Sequence, residues 1–212
     1  MHPLRSFLFA PGNHPRKVEK VFQVGADVVI LDLEDAVAIT EKPATRATIV
    51  DALKKKHRGL GYVRINSLDT EFAWGDFAGV VGAWVDGIVL PKVETADQLQ
   101  TADWVLAQLE RGNGMEIGSI DLLPIIETGL GLHNIEAITM AGTRIKRVSF
   151  GAGDFTRDMN LVWTGPEQEL AYARGRIVLA SRAAGIESPI DSVFIDLKDR
   201  EHLELSTQKA LE

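Results

Sequence analysis

The sequence predicts an α/β protein folded as a TIM, or (β/α)8, barrel. Short apolar runs rich in β-branched residues alternate with longer amphipathic runs along the 212 residues, which is typical of parallel strands joined by helices. Polar residues end strand after strand around the whole set, whereas a doubly wound open sheet concentrates its site at one switch point. The barrel is therefore favoured, and the lack of a Pro-, Ser- or Gly-rich linker predicts a single domain over residues 1–212.

Seven strand-then-helix units can be placed in order. The run 28–31 is continuously apolar, as expected of a parallel strand buried on both faces. Pro43 suits the first turn of a helix, and Thr95 can cap another that runs to about Glu110. The predicted strands are 4–10, 27–33, 62–66, 87–91, 120–127, 147–151 and 192–196. The predicted helices are 15–24, 42–56, 72–83, 95–110, 132–141, 167–184 and 200–211.

A closed barrel requires an eighth strand, which these seven units lack. Two strand edges would then stay unpaired, including the backbone of residues 193–195, and unpaired buried edges are costly. We therefore expect the chain to be part of a longer polypeptide that supplies an eighth strand and a C-terminal segment.

Composition narrows the class of protein. The formal net charge of -7 and the lack of a dense Lys/Arg block argue against nucleic acid as a partner. The absence of cysteine excludes disulfides, thiolate catalysis and Cys-zinc sites. The apolar run 7–10 is too short for a signal sequence, and no segment reaches the roughly 20 apolar residues of a membrane span. A cytoplasmic protein with no membrane partner is expected.

Two acidic residues end neighbouring predicted strands and indicate a metal site. Glu127 follows the apolar run 122–126, and Asp154 follows residues 148–153. Carboxylates at the ends of adjacent parallel strands can reach one cation, and oxygen ligands without His or Cys favour Mg²⁺, with Mn²⁺ as an alternative. The competing interpretation is that each carboxylate caps the helix that follows it.

Three further charged residues fall at the same predicted edge. Glu34 and Asp35 follow the second strand, where they could bind the metal, orient its waters or hold nearby cations, whereas Asp32 could point into the barrel. Arg64 lies within a predicted strand, and a buried guanidinium needs a bidentate partner. That partner is either an internal acid such as Glu34 or Asp35, or a substrate carboxylate or keto oxygen.

The turn after the first predicted strand has the features of a phosphate site. Backbone amides at the start of the next helix, together with Arg16 and Lys17, could hold a phosphate, although exposed basic residues are also common on a solvated first turn. Lys92 also ends a strand, but a metal site makes a Schiff-base role for it redundant.

Six segments in the same order resemble the citrate lyase β-subunit-like group of the HpcH/HpaI aldolase superfamily. They are residues 5–12 (RSFLFAPG), 31–37 (LDLEDAV), 63–66 (VRIN), 90–94 (LPKVE), 125–128 (IIET) and 150–154 (FGAGD). Members of that group continue beyond the segment matching 191–199 into a glycine-rich turn, an eighth strand and a C-terminal segment that often covers a neighbouring subunit's site. These parts are not present in the 212 residues.

The resemblance implies a Mg²⁺-dependent carbon–carbon lyase that cleaves or forms a 3-hydroxy-acyl thioester of the malyl-, citramalyl- or citryl-CoA class. It matches Glu127 and Asp154 to the metal ligands, with Glu127 also contacting substrate, and Arg64 to the substrate-binding arginine. Pro11, Gly12 and the turn carrying Arg16 match the loop near CoA.

The partners implied are a CoA thioester, a small oxo acid (glyoxylate, pyruvate or oxaloacetate) and further copies of the chain in a homo-oligomer, a trimer or hexamer. Glu34 and Asp35 are candidate general acids or bases, as is an acid from a C-terminal part. The alternatives are a citrate lyase β subunit acting on a carrier-protein thioester, an aldolase acting on free 2-keto-3-deoxy acids, and an inactive barrel with an interaction role.

Overall fold

The computed structural model describes residues 4–194, 196 and 198–211. Six parallel strands form a curled sheet in which each strand pairs with its neighbour in the sequence, as in a TIM-like barrel. The strands are β1 (Phe7–Pro11), β2 (Val28–Asp32), β3 (Leu60–Arg64), β4 (Gly87–Leu90), β5 (Asp121–Ile126) and β6 (Ser149–Phe150).

Helices connect the strands and follow the last of them. They are α1 (Pro15–Val21), α2 (Lys42–Leu53), α3 (Ala73–Val80), α4 (Ala96–Gly112), α5 (Gly129–His133), α6 (Ile135–Thr139), α7 (Ala152–Asp158), α8 (Ala171–Ala183) and α9 (Arg200–Lys209). Short 3₁₀ turns at Ile39–Glu41 and Gln168–Leu170 precede α2 and α8. The predicted cap of α4 is confirmed, because Thr95 Oγ1 accepts a hydrogen bond from Gln98 N–H in a capping box.

The strands alternate between two apolar layers, as a side-chain period of two requires. Val29 and Leu31 pack in the large layer shared with the helices. Val28 and Ile30 pack on the opposite face in a smaller layer. The full smaller layer is Val28, Ile30, Tyr62, Val89, Leu123 and Ile125. Because β2 and β5 are buried throughout, the sheet is a rigid base for the loops that follow it.

The first six predicted strands are confirmed, four of them with shorter bounds, while β1 spans 7–11 instead of 4–10 and β3 spans 60–64 instead of 62–66. Two predicted helices are wrong in extent. The predicted helix 132–141 is two short helices that meet at Asn134. The predicted helix 167–184 begins only at Ala171, because Glu167 has a left-handed backbone (φ 55°). Helix α7 is missing from the predicted helices, and it places Asp154 inside its first turn, not at its cap.

The seventh predicted strand, 192–196, is also wrong for its described residues. Ile190 makes a single parallel bridge to Ser149 instead. Beyond that bridge, Asp191 Oδ1 accepts a hydrogen bond from Arg174 Nε, and Ser192 Oγ accepts one from Ala152 N–H. Residue 195 lies outside the described residues, and the closing eighth strand stays a prediction.

Candidate functional site

Charged residues from five strands converge at the carboxyl edge of the sheet. In-register pairing brings the ends of β1, β2 and β3 level, with Pro11 opposite Asp32 and Asp32 opposite Arg64. Lys92, Glu127 and Asp154 follow β4, β5 and β6. The edge therefore holds the predicted acids and the predicted arginine together, where parallel-strand proteins carry their sites.

Asp32 holds the guanidinium of Arg64 in a bidentate pair. Arg64 Nε and Nη2 donate to the two carboxylate oxygens of Asp32, each at 2.7 Å. Arg64 Nη1 lies 3.0 Å from Glu34 Oε2, as a close ion pair without hydrogen-bond geometry. The internal partner of Arg64 is thus chiefly Asp32, with Glu34 second, and Asp35 does not pair with it. Burial opposes the charge of Asp32, but the hydrogen bonds and charge of Arg64 lower the pKa of Asp32.

Lys92 is the second cation of the site. Its Nζ donates a short hydrogen bond to Glu34 and lies 3.7 Å from Asp35 Oδ2 and 3.8 Å from Asp154 Oδ2. Its backbone N–H donates to Glu127 Oε1 at 2.8 Å. Lys92 adopts φ 51°, which is uncommon for a residue with a Cβ and marks a conformation that the surroundings impose.

Glu127 is a buried carboxylate, with 3% of the residue exposed. Burial, followed by the charges of Glu34 and Asp154, raises the pKa of Glu127 to about 8, although the backbone N–H of Lys92 and the charge of Arg64 oppose the shift. Burial also raises the pKa of Glu34, and the charges of Arg64 and Lys92 reduce that shift without cancelling it. The site is therefore short of positive charge.

Gly151 leaves the space that the Glu127 side chain occupies. A Cβ at residue 151 would lie 2.4 Å from Glu127 Oε2 and 2.6 Å from Glu127 Cβ. Glycine is needed here because of the close approach of Glu127. Its backbone conformation is not the reason, since a φ of -104° is open to any residue. Asp154 stands two residues beyond the start of α7, with 28% of its side chain exposed.

The capping alternative does not describe Glu127. Helix α5 is capped by Thr128, whose Oγ1 accepts a hydrogen bond from Gly131 N–H, while Glu127 accepts from Lys92. The cap position of α7 is Gly151, which makes no side-chain cap. Asp154 lies in the first turn, where its charge also suits the helix dipole.

Glu127 and Asp154 fit a Mg²⁺ ion by their chemistry. Mg²⁺ is commonly bound by one or two carboxylates with waters and substrate oxygens, and Glu127 and Asp154 offer two carboxylates at the ends of adjacent strands. Within residues 4–194, 196 and 198–211, no group of three or more His, Asp or Glu side chains is arranged to hold a metal. The fit therefore depends on two protein ligands.

A buried polar network beneath the site was not predicted. Lys42 Nζ donates to the carbonyls of Leu33 (2.8 Å) and Glu34 (2.6 Å) and to Asn66 Oδ1 (2.7 Å). Asp76, which is 0% exposed, accepts from Asn66 Nδ2 at 2.6 Å. The network fixes the backbone that carries Glu34. The sequence gives only a weak indication of this role: Lys42 is the first residue of α2, a few residues after the acidic pair Glu34 and Asp35.

The predicted phosphate turn lies beside the site. Gly12 N–H donates to the Asp32 carbonyl at 2.9 Å, and a Cβ at residue 12 would lie 2.7 Å from that oxygen. Pro11 ends β1, and Arg16 is exposed on α1. The turn is therefore fixed against β2, with its basic residue facing solvent.

A cavity in the described structure lies apart from the strand ends. It has a volume of about 410 Å³ and lies among α5, α7 and α8, with Leu132, Phe155, Met159, Tyr172 and Arg176 in its lining. Shape alone would point to this helical face, whereas the clustered charges point to the strand ends. We place the candidate site at the strand ends, because chemistry needs the convergent polar groups found there. In the described part of the chain, no helix is long and apolar enough to cross a membrane.

A TIM-like parallel sheet with acidic residues at its carboxyl edge is the arrangement of a barrel enzyme. The family model described as HpcH/HpaI aldolase/citrate lyase matches residues 5–211, and the chain belongs to that family. The predicted enzyme class, a carbon–carbon lyase, is confirmed by the relatives that follow.

Two sequence relatives and one solved structure illustrate the match. The chain is 38% identical over 206 residues to citrate lyase subunit beta of Leuconostoc mesenteroides subsp. cremoris, covering 96% of this chain and 68% of the relative. It is 36% identical over 219 residues to L-malyl-CoA/beta-methylmalyl-CoA lyase of Rhodobacter capsulatus, covering 93% and 68%. The citrate lyase beta subunit of M. tuberculosis, complexed with oxaloacetate and magnesium, superposes with a TM-score of 0.79 at 28% identity, covering 97% and 86%.

Proposed function

We propose that the chain is a Mg²⁺-dependent lyase that cleaves or forms the carbon–carbon bond of a 3-hydroxy-acyl thioester. The thioester belongs to the malyl-, citramalyl- or citryl-CoA class. The observation that carries this proposal is the buried Glu127, whose Oε1 is held by the Lys92 N–H at the edge of the sheet where Asp154 also lies. Support comes from a relative named for malyl-CoA and a similar structure complexed with oxaloacetate and magnesium.

Glu127 and Asp154 would hold the Mg²⁺, which supplies Lewis-acid polarisation of a substrate oxygen when it is bound. Mn²⁺ satisfies the same oxygen ligands. The backbone N–H of Lys92 fixes Glu127 Oε1, so one ligand oxygen is oriented before any metal arrives. Preorganisation of this kind lowers the cost of binding.

Arg64 would bind the carboxylate of the oxo-acid half. Asp32 occupies Nε and Nη2 and so fixes the plane of the guanidinium. Nη1 lies 3.0 Å from Glu34 Oε2 without hydrogen-bond geometry, and this edge of the guanidinium is the part of Arg64 that a substrate oxygen can use. Arg64 thereby orients the substrate and offsets its charge.

Glu34 and Asp35 are the proposed general acid and base. Glu34 is buried, has a raised pKa and contacts Lys92. Asp35 has 57% of its side chain exposed and lies 3.7 Å from Lys92 Nζ. Burial raises the pKa of Glu34, so this carboxyl holds a proton more readily than a solvated one and can pass it to a neighbouring group. Glu34 is thus the stronger candidate for moving the proton of the substrate hydroxyl.

Pro11, Gly12 and Arg16 are proposed to lie near the CoA phosphates. The helix start and the exposed Arg16 supply positive potential there. The chain spans about two thirds of the length of its sequence relatives, so the activity of a whole enzyme is part of the proposal. Assembly as a homo-oligomer in the cytoplasm is proposed with it.

A coupled assay tests the function. Release of glyoxylate, pyruvate and oxaloacetate should be followed with malyl-, citramalyl- and citryl-CoA, with and without EDTA. Glu127→Gln and Asp154→Asn should each remove the activity, because each deletes one anionic metal ligand while keeping nearly the same shape. Circular dichroism of both variants controls for folding, and turnover that resists EDTA would contradict the proposal.

The second candidate is a citrate lyase β subunit that acts on a carrier-protein thioester. The 38% identity to citrate lyase subunit beta favours it. Citryl-CoA and a citryl carrier-protein thioester should be compared in the same oxaloacetate assay. Preference for the carrier thioester identifies this candidate. No activity together with no Mg²⁺ binding identifies an inactive barrel.

A further inference from the structure

The ammonium of Lys92 lies beside the carboxylates proposed to bind the metal, so the two positive charges would compete for them. Its Nζ contacts Glu34 and lies 3.8 Å from Asp154 Oδ2, while its backbone N–H holds Glu127. One residue therefore touches both proposed metal ligands, one by its backbone and the other by its charge.

We propose that Lys92 is a built-in counter-cation that competes with the metal for this edge of the sheet. Without metal, its ammonium neutralises the carboxylates; metal binding moves it away from Asp154 and towards Glu34 and Asp35. The inference rests on the proposed function, because it requires the metal to bind Glu127 and Asp154.

A Mg²⁺ ion bound to Asp154 would lie close enough to the Lys92 ammonium for the two cations to repel each other. A Mg²⁺ ion lies about 2.1 Å from a ligand oxygen, so an ion on the contacted oxygen of Asp154 would be at most about 6 Å from Nζ. A single and a double positive charge at that separation repel enough to weaken binding about tenfold, even at the dielectric constant of bulk water. The lysine can withdraw, because 37% of its side chain is exposed and Glu34 and Asp35 remain as partners.

The backbone of Lys92 supports a functional role. A left-handed conformation is unfavourable for a residue with a Cβ, and glycine would avoid that cost. Here the conformation aims Nζ at three acids while the N–H of the same residue faces Glu127. Strain observed at a charged cluster is a reason to look for function there.

Replacing the side chain separates its charge from its backbone contact. Lys92→Met keeps the N–H that holds Glu127 and removes only the ammonium, and Lys92→Arg keeps the charge. Lys20→Met is the matched control, because it removes one charge from an exposed position on α1. Mg²⁺ binding is measured by titration calorimetry at low ionic strength, where charge repulsion is least screened.

Lys92→Met should bind Mg²⁺ at least about tenfold more tightly than the wild type, whereas Lys20→Met and Lys92→Arg should stay within about twofold. Metal-free Lys92→Met should also have a lower Tm and a larger rise in Tm on adding Mg²⁺. Lys92→Gln provides a second neutral side chain if Lys92→Met does not fold. Equal or weaker Mg²⁺ binding in the folded neutral variant overturns the inference.

The test also separates the inference from the proposed function. If the wild type binds no Mg²⁺, or if Glu127→Gln binds it as well as the wild type does, the metal site itself is wrong. If the wild type binds Mg²⁺ through Glu127 and Asp154 but the neutral Lys92 variant gains no affinity, only the role of Lys92 is wrong.

Discussion

Gly151→Ala should damage the site through a single methyl group. The added Cβ would meet Glu127 Oε2 at 2.4 Å, Glu127 Cβ at 2.6 Å and Ile125 Cγ2 at 2.9 Å. Glu127 is buried and held by the Lys92 N–H, and Ile125 is buried as well. Neither side chain can therefore move aside freely. Overpacking of this kind costs about 1–3 kcal/mol, which corresponds to a Tm lower by roughly 2–12 °C in a chain of this size.

Gly153→Ala is the matched control two residues away. Within 4 Å, a Cβ there would meet one atom of the described residues, Trp163 Cζ3 at 3.8 Å, which is an ordinary contact. Gly153 lies within α7, where alanine is favoured over glycine by about 0.5–1 kcal/mol. This variant should match or exceed the Tm of the wild type by up to about 4 °C.

Calorimetry checks both the stability and the metal. Differential scanning should rank the Tm values as Gly153→Ala, wild type and Gly151→Ala, from highest to lowest. Titration with Mg²⁺ should show at least about tenfold weaker binding only in Gly151→Ala, since displacement of Glu127 weakens an anionic ligand. A Gly151→Ala protein with the Tm and the Mg²⁺ affinity of Gly153→Ala would refute this reasoning.

Four further predictions follow from the same edge of the sheet. Lys42→Met should lower the free energy of unfolding by about 2–5 kcal/mol in urea melts, because three buried oxygens lose their donor; Lys20→Met should not. Arg64→Lys should keep the fold but raise KM more than it lowers kcat, since a point charge cannot reproduce the fork held by Asp32; an unfolded variant would assign Arg64 a structural role. The pKa of Glu127 is raised in the folded state to about 8, so its contribution to the stability of metal-free protein is present below about pH 4.5 and lost as the pH rises to about 8; the Tm difference from Glu127→Gln should follow that window, and a flat difference would contradict it. Oxaloacetate should give no calorimetric binding signal until Mg²⁺ is added.

The position of the site could be predicted because it depends on chain order alone. Apolar runs that end in Glu127 and Asp154 are visible in the sequence, and parallel strands bring such ends to one edge. The partner of Arg64 could not be predicted in the same way. It depends on the register of β2 against β3, which sets Asp32 opposite Arg64, and register is a tertiary property. The sequence therefore suggested Glu34 and Asp35, which lie two and three residues farther on.

At helix α7 and at the end of the sheet, tertiary contacts override the structure that the local sequence favours. Two glycines around residue 152 disfavour a helix, yet α7 forms and packs Phe155 edge-to-face on Phe150, with ring centroids 5.4 Å apart. The run 192–196 has the composition of a strand, but Ser192 binds the start of α7 through Ala152 N–H. Ser192 is therefore bound to α7, which is not among the predicted helices, and the described residues of this run form no strand.

The charge balance of this edge explains why the metal should precede the substrate. Two cations, Arg64 and Lys92, face a larger set of carboxylates. The carboxylates are Asp32, Glu34, Asp35, Glu127 and Asp154. With all of them ionised, these seven groups would carry three excess negative charges. The buried ammonium of Lys42 offsets part of that excess through Asp32, Glu34 and Asp35, and protonation of Glu127 relieves one charge more. An oxo acid brings a further negative charge and would be repelled, whereas a divalent cation removes most of the excess and gives the substrate oxygens a partner.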